Sequence, residues 1–355
     1  MNNILPLDKS ISIRELSQVF KSTAATYKFY WFLAILHFFV EKDKKQIEVR
    51  DILIQMIVYA WYPVNYFKLS FGYSDNLHTS IEELRETLGL PVDISAKELF
   101  DKLKNNKDRE INSLITHFRL NVPYRFLSPW IRYNSNSETI EKSQAFQNNC
   151  IYSISDDVKT ITINPDWHEY FRANQMILKD YTYWNLTQFI QAKNPNSPNI
   201  SNKLIKPIER ESLTKQRNFW KKVFDELGTI DCIYTGNILT KSDFDMEHFI
   251  PWSFVTHNQL WNLVPADGSI NSSKSNKLPK LDLYLRPYVS IQREAIRIVN
   301  SEKRKNKLLE DFLVLGPDIE TILNYSEKKL IESYRNLLAP LIQIARNSRF
   351  QDWES

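Results

Sequence analysis

Glycine is scarce in this chain, at 6 residues in 355. Tight hairpin turns draw on glycine for positive φ, so the shortage argues against an all-β fold of many short hairpins. Cysteine is scarcer still, with only two residues, Cys150 and Cys232, far apart in the sequence. Two cysteines cannot build a disulfide framework or a four-cysteine zinc site, and a reducing cytoplasm fits them. Long apolar runs are missing too. The longest, Phe29 to Val40, is interrupted by His37. It falls short of the ~20 residues a membrane span requires and reads as a buried core helix. The first residues, MNNILPLDKS, lack the basic-then-apolar pattern of a signal peptide. Charge of one sign is not in large excess. The net charge of +4 permits an anionic partner without requiring one.

What is present is ordinary globular material, 43% hydrophobic and 25% charged, long enough for two domains. The pattern predicts a mainly α chain with small β elements (α+β). Aromatic-rich helix is expected within 11–42 and a second apolar helix from Asp51 to Tyr62, ended by Pro63. Ser80 with Glu83 and Ser95 with Glu98 have capping-box spacing, and Leu88-Gly89-Leu90-Pro91 is a stop between them. A further helix is expected from Asp108 to Leu120, a hairpin within Cys150–Asn164, and helix from Pro165 to Lys193. The run Asn194-Pro195-Asn196-Ser197-Pro198-Asn199 has two prolines and no apolar side chain. It reads as a linker, dividing a helical N-terminal domain (1–195) from a C-terminal one (200–355). In the second, a basic helix is expected from Ser212 to Leu227. A strand over Ile230–Thr235, a turn at Gly236-Asn237 and a returning strand over Phe244–Phe249 follow, with helix beyond Lys280.

Charge is unevenly placed there. From Asp231 to Ile270 there are five acidic residues and one lysine, whereas 271–310 holds ten Lys or Arg and four Asp or Glu. An acidic centre beside a basic shoulder suits a cation and a polyanion bound together. Lys303-Arg304-Lys305 also reads as a solvated helix start. Inside the acidic part lies Asp245-Met246-Glu247-His248-Phe249-Ile250-Pro251, with Asn262 and Asn271 downstream. Glu247 offers a carboxylate oxygen and Asn271 an amide oxygen, the donors that magnesium-type ions prefer. On a strand, Glu247 and His248 leave opposite faces, so one can hold metal while the other meets water as a base.

Tyr234-Thr235-Gly236, then 244–254, Trp261-Asn262-Leu263-Val264 and Asn271-Ser272-Ser273-Lys274-Ser275 together resemble the HNH endonuclease family. The likeness is closest to the HNH domain of the type II CRISPR effector nucleases. That domain shares the acidic residue, histidine, two residues, proline, any residue, serine, then asparagines 14 and 9 residues on, spacings that His248, Asn262 and Asn271 reproduce. The likeness covers about 230–280, and Lys274 follows Asn271 by three as in the family. It implies a ββα-metal module flanked by helices and a DNA endonuclease using Mg2+ or Mn2+. His248 would be the general base and Asn262 the brace that orients it. Glu247 and Asn271 would hold the ion, and Lys274 would contact phosphate. Restriction or phage defence is the duty the family often serves. Two departures stand out. Glutamate replaces the usual aspartate at 247, which shifts where the ion sits, and Cys232 has no partner for a structural zinc.

Plainer readings stand beside these. Asn271 is also suited to capping a helix, Asp245 to serving as a second ligand, and Lys274 to being a surface lysine. The other histidines, 37, 78, 117, 168 and 257, have no matching partners. The N-terminal domain would recognise DNA, a protein partner or a regulatory ligand that gates the nuclease. A nucleic-acid-binding module with a decayed site is the alternative to an enzyme.

Overall fold

The computed structural model describes residues 5–205, 211–301 and 306–354, so Lys303-Arg304-Lys305 lies outside the described residues. The chain is mainly α with small β elements. It divides into two compact units: one of Met1–Pro195 with Ile200–Lys206, the other of Asn196–Asn199 with Pro207–Ser355.

The first unit is built on two helices, α1 (Tyr27–Leu36) and α2 (Val49–Asn65). Phe29 to Leu36 are buried without a break, as are nearly all residues of α2, so both are core elements on every face. Around them pack α3 (Asn76–Thr87), α4 (Ala96–Asn105), α5 (Arg109–Thr116), α6 (Val122–Phe126), α7 (Asn136–Gln144), α8 (His168–Ala173), α9 (Gln175–Lys193) and α10 (Ile200–Lys203). A three-stranded antiparallel sheet of β1 (Gln46–Glu48), β2 (Tyr152–Ile154) and β3 (Thr160–Ile163) has the order β1-β3-β2. A buried relay ties helix to sheet: Trp31 Nε1 donates to Tyr152 Oη at 3.2 Å, and Tyr152 Oη donates to the Pro123 carbonyl at 2.6 Å.

Local chemistry explains where helices start and stop, and where expectation fails. Ser95 caps α4 by accepting from Glu98 N at 3.2 Å, and Asp108 caps α5. Ser80, by contrast, lies buried inside α3, because Asp75 caps that helix from five residues earlier by accepting from Leu77 N. Residues 11–26 are mostly turns with one short 3-10 segment, so of the one long or two short helices expected within 11–42 the α-helix begins at Tyr27 and closes in a π turn, His37–Glu41. Helix α2 runs two residues beyond Pro63. A proline near a C-terminus removes one donor, and its own carbonyl still accepts, here from Leu69 N at 2.9 Å.

The second unit contains α11 (Thr214–Leu227), α12 (Trp252–Val255), α13 (Gly268–Lys274), α14 (Leu281–Asn300), α15 (Ile319–Leu323) and α16 (Glu327–Asn347). Its two hairpins differ from the expected one. Strand β4 (Thr229–Asp231) pairs with β5 (Ile238–Thr240), directly across the Gly236 turn. The motif strand β6 (Asp245–His248) pairs instead with β7 (Leu263–Ala266), with Glu247 opposite Val264 and His248 opposite Leu263. The apolar faces of α11, α14 and α16 close the core behind them, with Trp220, Tyr288 and Tyr334 fully buried.

One polar anchor in the first unit carries a clear expectation. Arg50, at the start of α2, donates to the carbonyls of Leu103, Lys104 and Asn106 at the end of α4, and to Asn112 Oδ1, all at 3.0–3.2 Å. It satisfies the carbonyls that every helix end leaves free. Arg50→Ala is expected to cost about 2 kcal/mol of stability, read by urea unfolding, with Arg50→Lys recovering only part.

Candidate active site

The site is assembled on β6. Strand geometry sends Asp245 and Glu247 to one face, Met246 and His248 to the other. Helix α13 packs across the Asp245–Glu247 face. At its start, a Cβ on Gly268 would lie 3.4 Å from Asp245 Oδ2. At its end, Lys274 Nζ donates to Glu247 Oε1 at 2.6 Å and to the His248 carbonyl at 2.7 Å. Asn271 sits one turn from each of these contacts, on the same stripe of α13, and its side chain is exposed. The first turn of α13 is secured by Asp267, which caps Ser269 N, takes a bond from Asn237, and donates its own N–H to Cys232 Sγ.

Asn262 is fully buried. Its Oδ1 accepts from Ile250 N at 2.8 Å and its Nδ2 donates to the Ile250 carbonyl at 2.9 Å, while its own carbonyl accepts from Phe249 N at 2.8 Å. Three bonds therefore lock the two residues after His248 to one asparagine. Asn262 is itself held from behind. Tyr288 of α14 donates to the Trp261 carbonyl at 2.5 Å, Gln292 to those of Leu260 and Leu263, and Leu260 N to Asp311.

His248 is half-buried, with Nε2 3.1 Å from Asn258 Oδ1. An amide oxygen only accepts, so in this pair the ring nitrogen is the donor. Asn258 was not singled out in the sequence, because a loop asparagine ten residues downstream has no periodic signal. Ser253, fully buried, donates to Asn276 Oδ1 at 2.9 Å and so ties α12 to the segment after α13. Arg217 of α11 lies 4.6 Å over the Phe244 ring, donates to the Phe244 carbonyl at 2.8 Å and reaches Asp245 Oδ1 at 3.4 Å.

Lys274 departs from the expected phosphate contact. Its side chain has no exposure, and that of Glu247 is 7% exposed. The lysine is the counter-charge of the carboxylate rather than a surface cation. Burial pulls Lys274 down from its ordinary pKa and pushes Glu247 up, and the attraction between them opposes both shifts. Asp245 adds a smaller upward push on Glu247.

Glu247 Oε2 makes no hydrogen bond among the described residues, and Asn271, one turn before Lys274 on α13, is exposed. The Tyr234 hydroxyl is buried without a partner and lies within the field of Glu247, whose charge adds to burial in pushing it well above the usual tyrosine range. A carboxylate oxygen and a hydroxyl left without partners are donors of the type that oxygen-seeking ions take. Among the described residues no three His, Cys, Asp or Glu side chains gather to form a larger metal cluster.

Residues 232–280 match the HNH endonuclease family model. The matched segment spans β5, β6, β7 and α13, and its β6–β7 hairpin with α13 makes a ββα arrangement similar to that of the family. The match is to the family and covers this part of the chain alone. Neither a curated protein nor a solved structure matches the chain. Among the described residues no helix is long and apolar enough to cross a membrane.

Lys274→Ala would leave Glu247 buried without its counter-charge, at a cost of roughly 3 to 5 kcal/mol. The pH dependence has a definite sign. Burial raises the folded Glu247 pKa, so the folded state keeps a proton that the unfolded chain releases above about 4.3. Removing Lys274 raises the folded value further. The deficit relative to wild type is expected to widen as pH rises above that point and to narrow on acidification, measured by urea unfolding at pH 5 and pH 7.5.

Proposed function

We propose that the domain hydrolyses phosphodiester bonds in DNA, with Mg2+ or Mn2+ as its ion. The observation that carries this reading is the Asn262 clasp. It fixes the chain immediately after a Glu-His pair on β6, within the segment that matches a nuclease family. His248 takes a proton from a water as the water oxygen bonds phosphorus and the P–O bond to the leaving oxygen breaks. Asn258 holds the ring and Asn262 sets the backbone from which the ring projects. Glu247, through Oε2, and Asn271 would hold the ion, which would neutralise charge building on the phosphate. Lys274 keeps Glu247 ionised and aligned instead of touching substrate.

A second reading is a gated nuclease, in which a ligand or partner must act first. It is favoured by the contact between Lys274 and Glu247, since the metal ligand is already paired. Intact protein that cuts naked plasmid with only metal added would exclude it.

The decisive test is nicking of supercoiled plasmid with Mg2+, Mn2+ or EDTA. Wild type is expected to cut only with metal, and His248→Ala to lose about 10²-fold or more in rate while keeping its thermal stability. Equal cutting by the two proteins would remove His248 from its role. Asn262→Ala is expected to lose both activity and stability, because two backbone groups of Ile250 lose their partner.

A further inference from the structure

The first unit carries a face with several cations that have no carboxylate partner among the described residues; the nearby Glu138 pairs with Lys142. Residues 111–137 contain Arg119, Arg125, Arg132 and His117 and not one Asp or Glu. Residues 16–40 add Lys21 and Lys28, again with no acid. The fold brings the two stretches together: Tyr27 of α1 meets Phe118 with ring centroids 5.2 Å apart, which seats Lys28 and Arg119 on neighbouring segments. The charge of Arg125 bears on Lys28, whose ammonium is pulled below its usual pKa first by burial and then by that charge.

Among the described residues, Lys28 and Arg125 are held in place without counter-ions. Lys28 Nζ is anchored to the carbonyls of Val19 and Ser22 at 3.2 and 3.3 Å. The Arg125 guanidinium lies 3.8 Å over the Tyr133 ring, and that ring is fixed by its hydroxyl donating to Asn136 Oδ1 at 2.9 Å. Arg119, Arg125 and Arg132 are exposed, and among the described residues none has a carboxylate partner. Asp75, behind Tyr27, is buried and commits its oxygens to Thr26 and Leu77. Like charges gathered at an exposed face, one of them stacked flat on a tyrosine, present a fork of N–H donors to solvent. That fork suits phosphate oxygens, while the guanidinium already has its orientation.

We propose that this face binds the phosphate backbone of a nucleic acid, giving the first unit a substrate-holding role of its own. The proposal rests on the nuclease reading for its choice of polyanion. Its test is read by binding, in EDTA, so that failure of the chemistry and failure of this surface are separable.

Full-length protein would be titrated against fluorescent 30-residue duplex DNA and single-stranded DNA over a range of salt. The variants are R119A/R125A and R119K/R125K, with Lys28 left intact for its structural bonds. The alanine pair is expected to weaken binding about tenfold or more near 0.1 M salt and to flatten the slope of log K against log salt by about two. The lysine pair keeps the charge and is expected to keep the slope. Wild-type affinity and slope in the alanine pair would overturn the proposal. So would equal losses in both pairs, which would mark a structural role, or displacement of DNA by polyglutamate at equal charge, which would mark a protein-binding face.

Discussion

The second unit is organised by one buried ion pair. Lys274 reaches from the last turn of α13 to Glu247 and to the carbonyl of His248, and so joins the helix to the strand at the two positions where chemistry is expected. An ammonium with no exposure and a carboxylate with little would be costly alone. Together they are tolerable, and the pairing leaves α13 few alternative positions on β6. The same bond sets the electrostatics of the site, since it decides how far burial shifts the carboxyl and which of its oxygens remains for another partner.

A second layer supports the first. The site residues themselves sit on short elements, a four-residue strand and a seven-residue helix, which would be marginal in isolation. They borrow rigidity from α14, whose Tyr288 and Gln292 hold the carbonyls on both sides of Asn262. From there the constraint passes through the Asn262 amide to Ile250 and so to the base of the His248 side chain. A long amphipathic helix thereby positions a loop that has little secondary structure of its own. The first unit follows a different logic. Its central helices are buried on nearly every face, and polar bonds secure helix ends, as with Arg50 on α4 and Asp75 on α3.

Much of this is legible in the residues. The helical character and the small hairpin at 152–163 follow from periodicity and from the turn residues between the two β-prone runs. The Glu247-His248 pair and the two asparagines stand out through their resemblance to the HNH motif, and of these Asn262 clasps the backbone of Ile250. Other features are not legible. The strand partner of β6 was misread because β7, Leu263–Ala266, is four buried residues with no alternation to mark it. Ser80 looked like a cap because its spacing to Glu83 is right. Asp75 takes that role because it lies where the helix begins.

The residues by themselves determined which side chains are available for chemistry and, through their spacing, which of them belong to one motif. Only the tertiary structure decided what each one faces. Lysine carries the same charge at the surface or in the core, and sequence position does not say which. Here α13 lies across β6, so Lys274 is enclosed against Glu247, while the acid-free stretches around Lys28 and Arg125 meet at an exposed face. Burial depends on what packs from distant parts of the chain, and burial determines whether a charge is a counter-ion or a contact.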